Sequence, residues 1–548
     1  MKATIEHESL IYDLCVIGSG PAGIILALEF AALNPQKQVA LIEFGARHQD
    51  GVNELDESIS INNPVNHYGP YDCTNKGLGG TSRTWGGRCV MFDEIDFLPR
   101  AIVNDDCTWS VDLLRDVERY LPKNSQYFEC GNAQFDLDQI SGSHKKRIAE
   151  GFVPGIVTDS RLERWSMPTR FGNRYQTEID EAKNIVLFES CRAERFVTNN
   201  GSIEAVMLKQ WPENKVLKIH ARQFSIAAGA QESTRLLLQN LQVFDSLGSV
   251  PSALGKYYQS HISGKIASIK FYGDPKQTDY GFQMDNDVYV RRRLQFDSDF
   301  LRKKNLLNTA FWLDNPLYHN PEHKNGAMSF MYLAMITPVL GKKLAPPAIK
   351  HSVTKGKVNG LGKHVLNLIR DFPMSFWTPF SIFYKRYLPK RKLPGVFLYN
   401  TQNTYALHFH AEQIPDASNK MYLDSDGKTL KIDYKILDAD AKAIVQLHKE
   451  LDAYLRSINC GQLDFWYPEN ELEAAVKANS KDGIHQSGTT RIADSPDKGV
   501  VDTQLKVFGT DNLYVCSCSV FPTSGQANPT YFIGAFAIRL AHHLTLKL

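Results

Sequence analysis

A glycine pattern near the N-terminus constrains the fold of this chain more than any other feature. Tyr12–Ile17 is a short apolar run that predicts a buried strand, and residues 24–33 form an apolar run that predicts a helix. Between these runs, Gly18, Gly20 and Gly23 form a G-x-G-x-x-G pattern. Glycines at this spacing allow a tight turn, a close approach of a pyrophosphate to the backbone, and close packing of helix on strand. The pattern predicts a dinucleotide-binding βαβ unit.

A second strand strengthens this interpretation. Residues 38–42 are again mostly apolar, and Glu43 follows them, 20 residues after Gly23. An acidic side chain at this place accepts hydrogen bonds from the hydroxyl groups of a ribose. An ordinary glycine turn in an α/β protein would explain neither the spacing nor the acidic residue. We therefore expect a bound dinucleotide.

The C-terminal part of the chain indicates the chemistry. His485 lies in the segment Gly483–Arg491, and Asn528 opens an Asn-Pro-Thr sequence. Histidine has the side-chain pKa closest to neutrality, so it can take a proton from an alcohol at working pH. Asparagine can hold a hydroxyl group in place without competing for that proton. If folding brings these two side chains together, the expected reaction is alcohol oxidation.

The chain resembles the glucose-methanol-choline (GMC) family of FAD-dependent oxidoreductases, and within it the branch of pyranose oxidase and sugar dehydrogenases. The blocks that carry the resemblance are residues 18–43, 77–87, 227–238 and 483–544. The resemblance implies a fold that combines α/β and α+β parts: a Rossmann-like FAD-binding domain interrupted by a substrate-binding domain on a mostly antiparallel sheet. It also implies that His485 is the catalytic base and that Asn528 is its partner, where some relatives have a second histidine.

The same resemblance assigns the cofactor contacts. We expect FAD to lie against Gly18, Gly20, Gly23, Glu43, Gly79, Gly80, Thr81, Ser82, Trp85, Gly86, Ala193, Gly229, Ser519, Pro529 and Thr530. Closely spaced glycines let backbone amides approach a flavin without interference from Cβ atoms. Relatives of the pyranose oxidase type have a histidine just before the tryptophan of the second block, and it bonds covalently to the flavin. This chain has Thr84 there, so we expect FAD to be held non-covalently.

The family arrangement predicts discontinuous domains. The FAD-binding domain is expected in residues 1–90, 186–265 and 471–548, and the substrate-binding domain in residues 91–185 and 266–470. In the latter, residues 405–412 alternate between polar and apolar side chains, as a strand does. Such a strand puts His408, His410 and Glu412 on one face, where they suit a sugar-binding site. The alternation equally suits any half-exposed strand, and both interpretations stay open.

A basic aromatic insertion is expected at residues 342–392. It contains twelve Lys and Arg and one Asp, a net charge of +11, so the rest of the chain carries 2 − 11 = −9. Aromatic residues embedded among cations suit the interface of an anionic membrane, and no run is long or apolar enough to span one. A solvated lid with a packed aromatic core is the alternative. Nucleic acid is the weaker interpretation because no nucleic-acid-binding fold is recognisable.

Composition bears on location and metal content. Residues 1–11 contain no long apolar run and no small-residue cleavage site, so we expect no signal peptide. The nine cysteines are scattered, and Cys516 and Cys518 have no His or Cys cluster near them in the sequence. This distribution favours packing over metal ligation. We expect a cytoplasmic protein without a structural metal, with the basic insertion touching the inner face of the membrane if it docks there.

These expectations combine into one function. The enzyme is expected to oxidise a hydroxyl of a sugar or glycoside, or of a lipid-linked saccharide, by hydride transfer to flavin N5, with an unidentified electron acceptor. Two alternatives stay open, namely an oxygen-using oxidase and a non-redox flavin-containing lyase of the same fold. The intact pair of His485 and Asn528 argues against a catalytically silent membrane-docking module.

Overall fold

The computed structural model describes residues 10–46, 59–103, 109–140, 146–167, 169–337, 339, 358, 360–398 and 400–548. Residues 1–9, which bear on the expectation about a signal peptide, lie outside the described residues. The basic insertion at 342–392 is described from residue 360 onward, together with Val358. Its N-terminal part therefore lies outside the described residues.

The described chain contains both strands and helices. The strands are β1 (Ile11–Ile17), β2 (Val39–Ile42), β3 (Ile59–Ile61), β4 (Arg88–Cys89), β5 (Val157–Trp165), β6 (Ile185–Phe188), β7 (Cys191–Asn199), β8 (Ser202–Gln210), β9 (Lys215–Ile226), β10 (Ile262–Phe271), β11 (Gln283–Asp285), β12 (Val288–Phe296), β13 (Thr309–Asp314), β14 (Thr404–Ala411), β15 (Lys420–Leu423), β16 (Leu430–Asp433), β17 (Gly461–Phe465) and β18 (Leu513–Val515). The α-helices are α1 (Pro21–Leu33), α2 (Pro70–Cys73), α3 (Val111–Glu118), α4 (Leu121–Phe128), α5 (Phe171–Glu181), α6 (Gly229–Leu238), α7 (Ser298–Lys304), α8 (Gly326–Ile336), α9 (Leu361–Arg370), α10 (Met374–Tyr387), α11 (Asp438–Ser457), α12 (Leu472–Asn479) and α13 (Pro529–Thr545).

The first sheet contains the predicted βαβ unit. β1 pairs in parallel with β2 and with β9, so that Cys15 lies opposite Ala40 on one side and Phe224 on the other. β6 extends the sheet in parallel beyond β2, and β18 pairs in parallel with β9. β8 and β7 continue the sheet from β9 as antiparallel strands. Helices α1 and α13 pack together. β1 is almost entirely buried, as expected for a parallel strand covered on both faces.

The second sheet is antiparallel and runs in the order β17, β10, β14, β13, β12, β5, β4, with β11 paired to β12. One face of β14 packs into a core with α11, where Leu407 and Phe409 meet Ile444 and Leu451. The predicted strand at 405–412 is therefore present as β14, and Glu412 lies just beyond its end. A third, small sheet joins β15, β16 and β3.

These two large sheets confirm the predicted fold class, a Rossmann-like unit interrupted by a domain on a mostly antiparallel sheet. The predicted boundary at 265 cuts through β10, which belongs to the second sheet from Ile262 onward. In the described part of the chain, every helix is too short or too polar to cross a membrane.

Candidate active site

A cavity of about 570 Å³ lies at the carboxyl ends of the parallel strands of the first sheet. Ile17 at the end of β1 and Ile42 at the end of β2 line it, as do residues that follow β9 and β18. Ligands of open α/β sheets bind in this crevice. Among the predicted site residues, those that line the cavity are Gly18, Gly20, Glu43, Gly80, Thr81, Ser82, Trp85, Gly86, Ala193, Gly229, His485, Asn528, Pro529 and Thr530.

Three helices begin at this cavity. α1 starts after Gly20, α6 after Ala228 and α13 after Asn528, and these three flanking residues all line the cavity. Each of the three helix starts lacks a capping bond from its flanking side chain. A helix N-terminus carries free N–H groups and a partial positive charge, so it attracts an anion. The cavity therefore suits a pyrophosphate.

The three glycines of the N-terminal pattern meet different constraints. Gly18 has a φ of +106°, and a Cβ added to it would lie 2.6 Å from the carbonyl oxygen of Ala227. A Cβ on Gly23 would lie 1.9 Å from the carbonyl oxygen of Gly18, because α1 packs closely against the end of β1. A Cβ on Gly20 would meet no atom within 4 Å. Gly20 thus leaves room for a ligand, whereas Gly23 is not part of the cavity wall and acts through packing.

Glu43 joins three loops around the cavity. Its Oε2 accepts hydrogen bonds from the backbone N–H of Ser19 at 3.1 Å and from the Ser19 hydroxyl at 2.6 Å. Its Oε1 accepts hydrogen bonds from the backbone N–H groups of Gly45 and Gly77, both at 2.8 Å. The carboxylate thus holds the glycine loops in place, and its contact with a ribose stays a prediction.

His485 lies in the loop after α12, and both of its ring nitrogens have partners. Nδ1 is 2.9 Å from Oδ2 of Asp482, and Nε2 is 2.5 Å from Nδ2 of Asn528. Because an ionised carboxylate only accepts hydrogen bonds, Nδ1 carries the ring proton and Nε2 accepts a hydrogen bond from Asn528. The structure therefore brings the predicted pair together and places the basic nitrogen beside Asn528 at the cavity wall.

Asp482, which sequence reasoning missed, sets this tautomer. Its buried carboxylate also accepts hydrogen bonds from the backbone N–H groups of His261 at 3.0 Å and Ile484 at 2.9 Å. Burial raises the pKa of Asp482, but electrostatic attraction and a hydrogen bond from His485, with a further hydrogen bond from His261, outweigh burial and hold the pKa well below its usual range. Asp482 is therefore an anion at working pH. The sequence offered one signal for Asp482, its position directly before Gly483 at the edge of the C-terminal block.

Two further histidines lie next to His485. The ring centroids of His261 and His410 are 4.9 Å and 5.5 Å from that of His485. Burial lowers the pKa of His261 and holds that of His410 well below its usual range, so both rings are neutral. One nitrogen of each of the three rings lies within 4.8 Å of the others, a spacing that a metal ion could use. Because Nδ1 of His485 is bonded to Asp482 and neither His261 nor His410 is among the residues that line the cavity, we interpret the cluster as buried polar packing beside His485.

The residues predicted to contact substrate from β14 take other positions. The Ser263 hydroxyl lies 2.9 Å from Nε2 of His408 and 3.0 Å from Nδ1 of His410. Both carboxylate oxygens of Glu412 bond to Arg100 instead. Within the described residues, the cavity wall includes none of the three predicted side chains. Glu412 belongs to a buried ion pair, and the substrate roles of the two histidines stay predictions.

Gly79 and Ser519 also lie away from the cavity wall. A Cβ on Gly79 would meet the backbone at the start of α5, so this glycine serves packing. The Ser519 hydroxyl is buried 2.6 Å from that of Thr490. Ser517 and Cys518 line the cavity in its place, because a 3-10 turn over Cys518–Val520 directs Ser519 away from the ligand space.

Several lining residues were not among the predicted site residues. These are Arg88, Trp165, Ile484, Gln486 and Pro394. Arg88 donates to Oε1 of Glu163 at 3.2 Å, and burial lowers the pKa of Arg88 to about 9. Its guanidinium therefore stays charged at neutral pH. Arg88, Trp165 and Pro394 lie far apart in the sequence with no common spacing, so only the fold assembles them, whereas Ile484 and Gln486 flank His485 in the C-terminal block.

The C-terminal part of the chain matches the family model described as GMC oxidoreductase over residues 415–537. A 73-residue segment is 36% identical to the dehydrogenase str4 of Strobilurus tenacellus. This segment is 13% of the present chain and 12% of that protein, so the match spans about an eighth of the length of the curated relative.

Solved structures match nearly the whole chain. Pyridoxine 4-oxidase from Mesorbium loti superposes with a TM-score of 0.51 at 15% identity, covering 97% of this chain and 99% of that chain. A fungal aryl-alcohol oxidase gives a TM-score of 0.51 at 14% identity, covering 98% and 99%. At such identities the likeness concerns the fold alone. Together with the family match over residues 415–537, it confirms the predicted resemblance to the GMC oxidoreductases.

Proposed function

We propose that this protein is an FAD-dependent oxidoreductase that oxidises a hydroxyl group of a sugar or glycoside to a carbonyl. The observation that supports this proposal most is the position of His485 on the wall of the cavity. Its Nδ1 is bonded to ionised Asp482, and its Nε2 lies beside Asn528. The match to the GMC family supports oxidation of an alcohol. The sugar rests on the resemblance to the pyranose oxidase branch.

The cavity fits FAD at its pyrophosphate end. Backbone N–H groups after Gly20 and at the starts of α6 and α13 would hold the cofactor, and the open space at Gly20 would admit it. When bound, FAD supplies the hydride acceptor. Thr84 lines the cavity and has no ring nitrogen, which supports non-covalent binding. Acid precipitation should then release all the flavin, and flavin retained on the pellet would contradict this binding mode.

Side chains of the protein accept the proton that the substrate hydroxyl loses. Neutral His485 takes the hydroxyl proton at Nε2, while its Nδ1–H remains bonded to Asp482. The negative charge of Asp482 stabilises the imidazolium that forms. Asn528 holds the substrate oxygen next to Nε2. General-base catalysis of this kind contributes about 10²–10⁴-fold to a rate.

An aromatic alcohol is the second candidate substrate. Trp85 and Trp165 both line the cavity, and each offers a flat apolar surface to a ring. The aryl-alcohol oxidase and the pyridoxine 4-oxidase share the fold. Anaerobic mixing of the yellow holoenzyme with a panel of sugars, glycosides and aryl alcohols distinguishes the two classes by which of them bleaches the flavin absorbance.

The central test is His485→Ala. The variant should retain FAD, while anaerobic flavin reduction by the best substrate should slow about 10²–10⁴-fold, because the proton loses its positioned acceptor. The matched control is His220→Ala, which changes a half-buried histidine on β9 away from the cavity. Wild-type reduction rates in His485→Ala would refute the assignment of the base.

The electron acceptor requires a separate measurement. We assign the enzyme as a dehydrogenase, so turnover with an artificial acceptor should exceed turnover with oxygen. An oxidase would turn over in air at a comparable rate. A lyase would convert its substrate, and no alcohol would bleach its flavin absorbance.

A further inference from the structure

Helices α9 and α10 expose an apolar surface. We name it the docking face and define it by Leu361, Val365, Leu366 and Ile369 on α9, and by Phe376, Trp377, Phe380, Phe383 and Tyr384 on α10. Ile369 is 69% exposed, Phe380 64% and Trp377 62%. Single exposed apolar residues are ordinary, but nine of them on two helices that are three residues apart in the chain indicate a surface that is covered in use.

The two helices are inverted relative to ordinary surface helices. Their buried positions are polar: His364 bonds through Nδ1 to the Ser329 hydroxyl at 2.9 Å, and the Asn367 amide donates to the Pro321 carbonyl at 2.9 Å. Ser375 is buried and donates to the Leu368 carbonyl at 2.9 Å. A helix in water normally turns its apolar face to the core. Here polar groups fix α9 to α8 and α10 to α9, so the apolar face is directed outward by the fold.

Cations border the docking face. Residues 360–398 contain seven Lys and Arg and one Asp, a net charge of +6. Lys385 and Lys390 are exposed, and Lys392 is half-buried. Lipid head groups of an anionic leaflet attract such cations, while aromatic side chains prefer the depth of the head groups.

We propose that the docking face binds the surface of an anionic lipid bilayer. The apolar side chains of α9 and α10 would lie about 5–10 Å deep, parallel to the membrane plane. A second copy of the chain is a poorer occupant, because a two-fold interface sets the same patch against itself and would bring the cations together. An anionic leaflet is typical of the cytoplasmic side of membranes, in agreement with the location expected from the sequence.

The docking face is connected to the cavity. Arg386 on α10 donates to the carbonyl oxygen of Pro394 at 3.3 Å, and Pro394 lines the cavity. Arg391 donates to the carbonyl oxygens of Glu129 at 3.0 Å and Met167 at 3.2 Å. Docking would therefore hold the bilayer surface next to the segment that borders the active-site cavity.

Vesicle co-sedimentation of the FAD-loaded enzyme tests this surface. Wild type should sediment with phosphatidylcholine vesicles that contain about 30% phosphatidylserine and much less with pure phosphatidylcholine. About 0.5 M salt should release it, because charge attraction is screened beyond a few ångströms. Failure to sediment with the anionic vesicles at low salt would overturn the proposal.

Two variants separate the charged and apolar contributions. The first variant combines Lys385→Gln, Lys390→Gln and Lys392→Gln. It should partition onto the vesicles about 100-fold more weakly, because each cation contributes roughly fivefold. Trp377→Ser with Phe380→Ser should weaken partitioning at least about tenfold. The control variant replaces Lys183, Lys218 and Lys303, exposed elsewhere, with Gln and should sediment like wild type.

Turnover of a soluble alcohol shows that each variant is folded, because none of the changed residues lines the cavity. Equal sedimentation of the wild type and both variants would overturn the proposal. Analytical ultracentrifugation without lipid provides a second test. A concentration-dependent dimer of the wild type that is lost in Trp377→Ser with Phe380→Ser would also overturn the proposal. That result would identify a second copy of the chain as the occupant.

Discussion

Asp482 explains how a histidine in a partly closed cavity can accept a proton. An imidazole surrounded by the neutral rings of His261 and His410 would gain little stabilisation on becoming charged. Asp482 lies 2.9 Å from Nδ1 and stays ionised, so it favours the imidazolium. It also fixes the tautomer that leaves Nε2 free of a proton. The proposed base is therefore the pair of Asp482 and His485.

Replacing this carboxylate tests the pair. Asp482→Asn should slow anaerobic flavin reduction about 10²-fold, part of what general-base catalysis contributes. In the wild type, this contribution should persist in mildly acidic solution, because the pKa of Asp482 is held well below its usual range and the carboxylate stays ionised there. The rate falls in the variant because an amide carries no negative charge to stabilise the imidazolium that forms when His485 takes the proton. Stopped-flow measurement of flavin reduction across pH checks both expectations.

A purely structural role for Asp482 would lower the amount of folded enzyme without slowing flavin reduction in the folded fraction. The matched control is Asp494→Asn, an exposed carboxylate in the same C-terminal region, which should leave the rate of reduction unchanged. A wild-type rate of flavin reduction in folded Asp482→Asn would contradict the pairing.

The sequence predicted His485 and Asn528 as a pair, but it did not predict Asp482. The two predicted residues lie in recognisable blocks, whereas Asp482 lies in an irregular loop three positions before His485, where no periodicity relates side chains. The misplacement of Ser519 has the same origin, because the turn at Cys518–Val520 decides which of three successive residues faces the ligand. Loop geometry of this kind depends on the packed fold.

At the scale of elements, the unit of β1, α1 and β2 follows its sequence pattern closely because the glycines leave the chain few alternatives. Gly23 allows α1 to touch the end of β1, and Gly20 keeps the helix N-terminus open. The strand β14 shows where a pattern is insufficient. Its alternation predicted which side chains share a face, but it could not reveal that Ser263 and neighbouring elements cover the face with His408 and His410.

Two alanine substitutions should separate these roles. Gly23→Ala should lower the free energy of unfolding of the apoprotein by about 1–3 kcal/mol, because its Cβ meets the carbonyl oxygen of Gly18. Gly20→Ala should leave apoprotein stability within about 0.5 kcal/mol and weaken FAD binding about tenfold, because its Cβ enters ligand space. Urea unfolding and FAD titration measure the two effects. Equal effects of both substitutions on apoprotein stability would contradict the assignment.

At the scale of the molecule, a buried polar layer ties distant parts of the chain together. The Arg100 guanidinium bonds to Glu412, 312 residues away, and Asn308 donates its backbone N–H to the same carboxylate. Gln526, close to the start of α13, donates to Oδ2 of Asp93 at 2.8 Å. Separations of this length carry no sequence signal, so the alternation over residues 405–412 could not reveal the ion pair of Glu412.

Breaking the ion pair should destabilise the fold. Arg100→Met leaves Glu412 buried without its counter-charge, which costs about 3–5 kcal/mol. The double variant with Glu412→Leu removes both charges and should recover most of that loss, since an apolar pair of similar size avoids desolvation. Urea unfolding of the wild type, both single variants and the double variant measures the coupling. A double variant as unstable as the sum of the singles would show that the two residues act independently. The same variants test the predicted substrate role of Glu412. If Glu412 contacts the substrate, its loss should raise KM in the folded double variant. If Glu412 serves only the ion pair with Arg100, KM should stay unchanged.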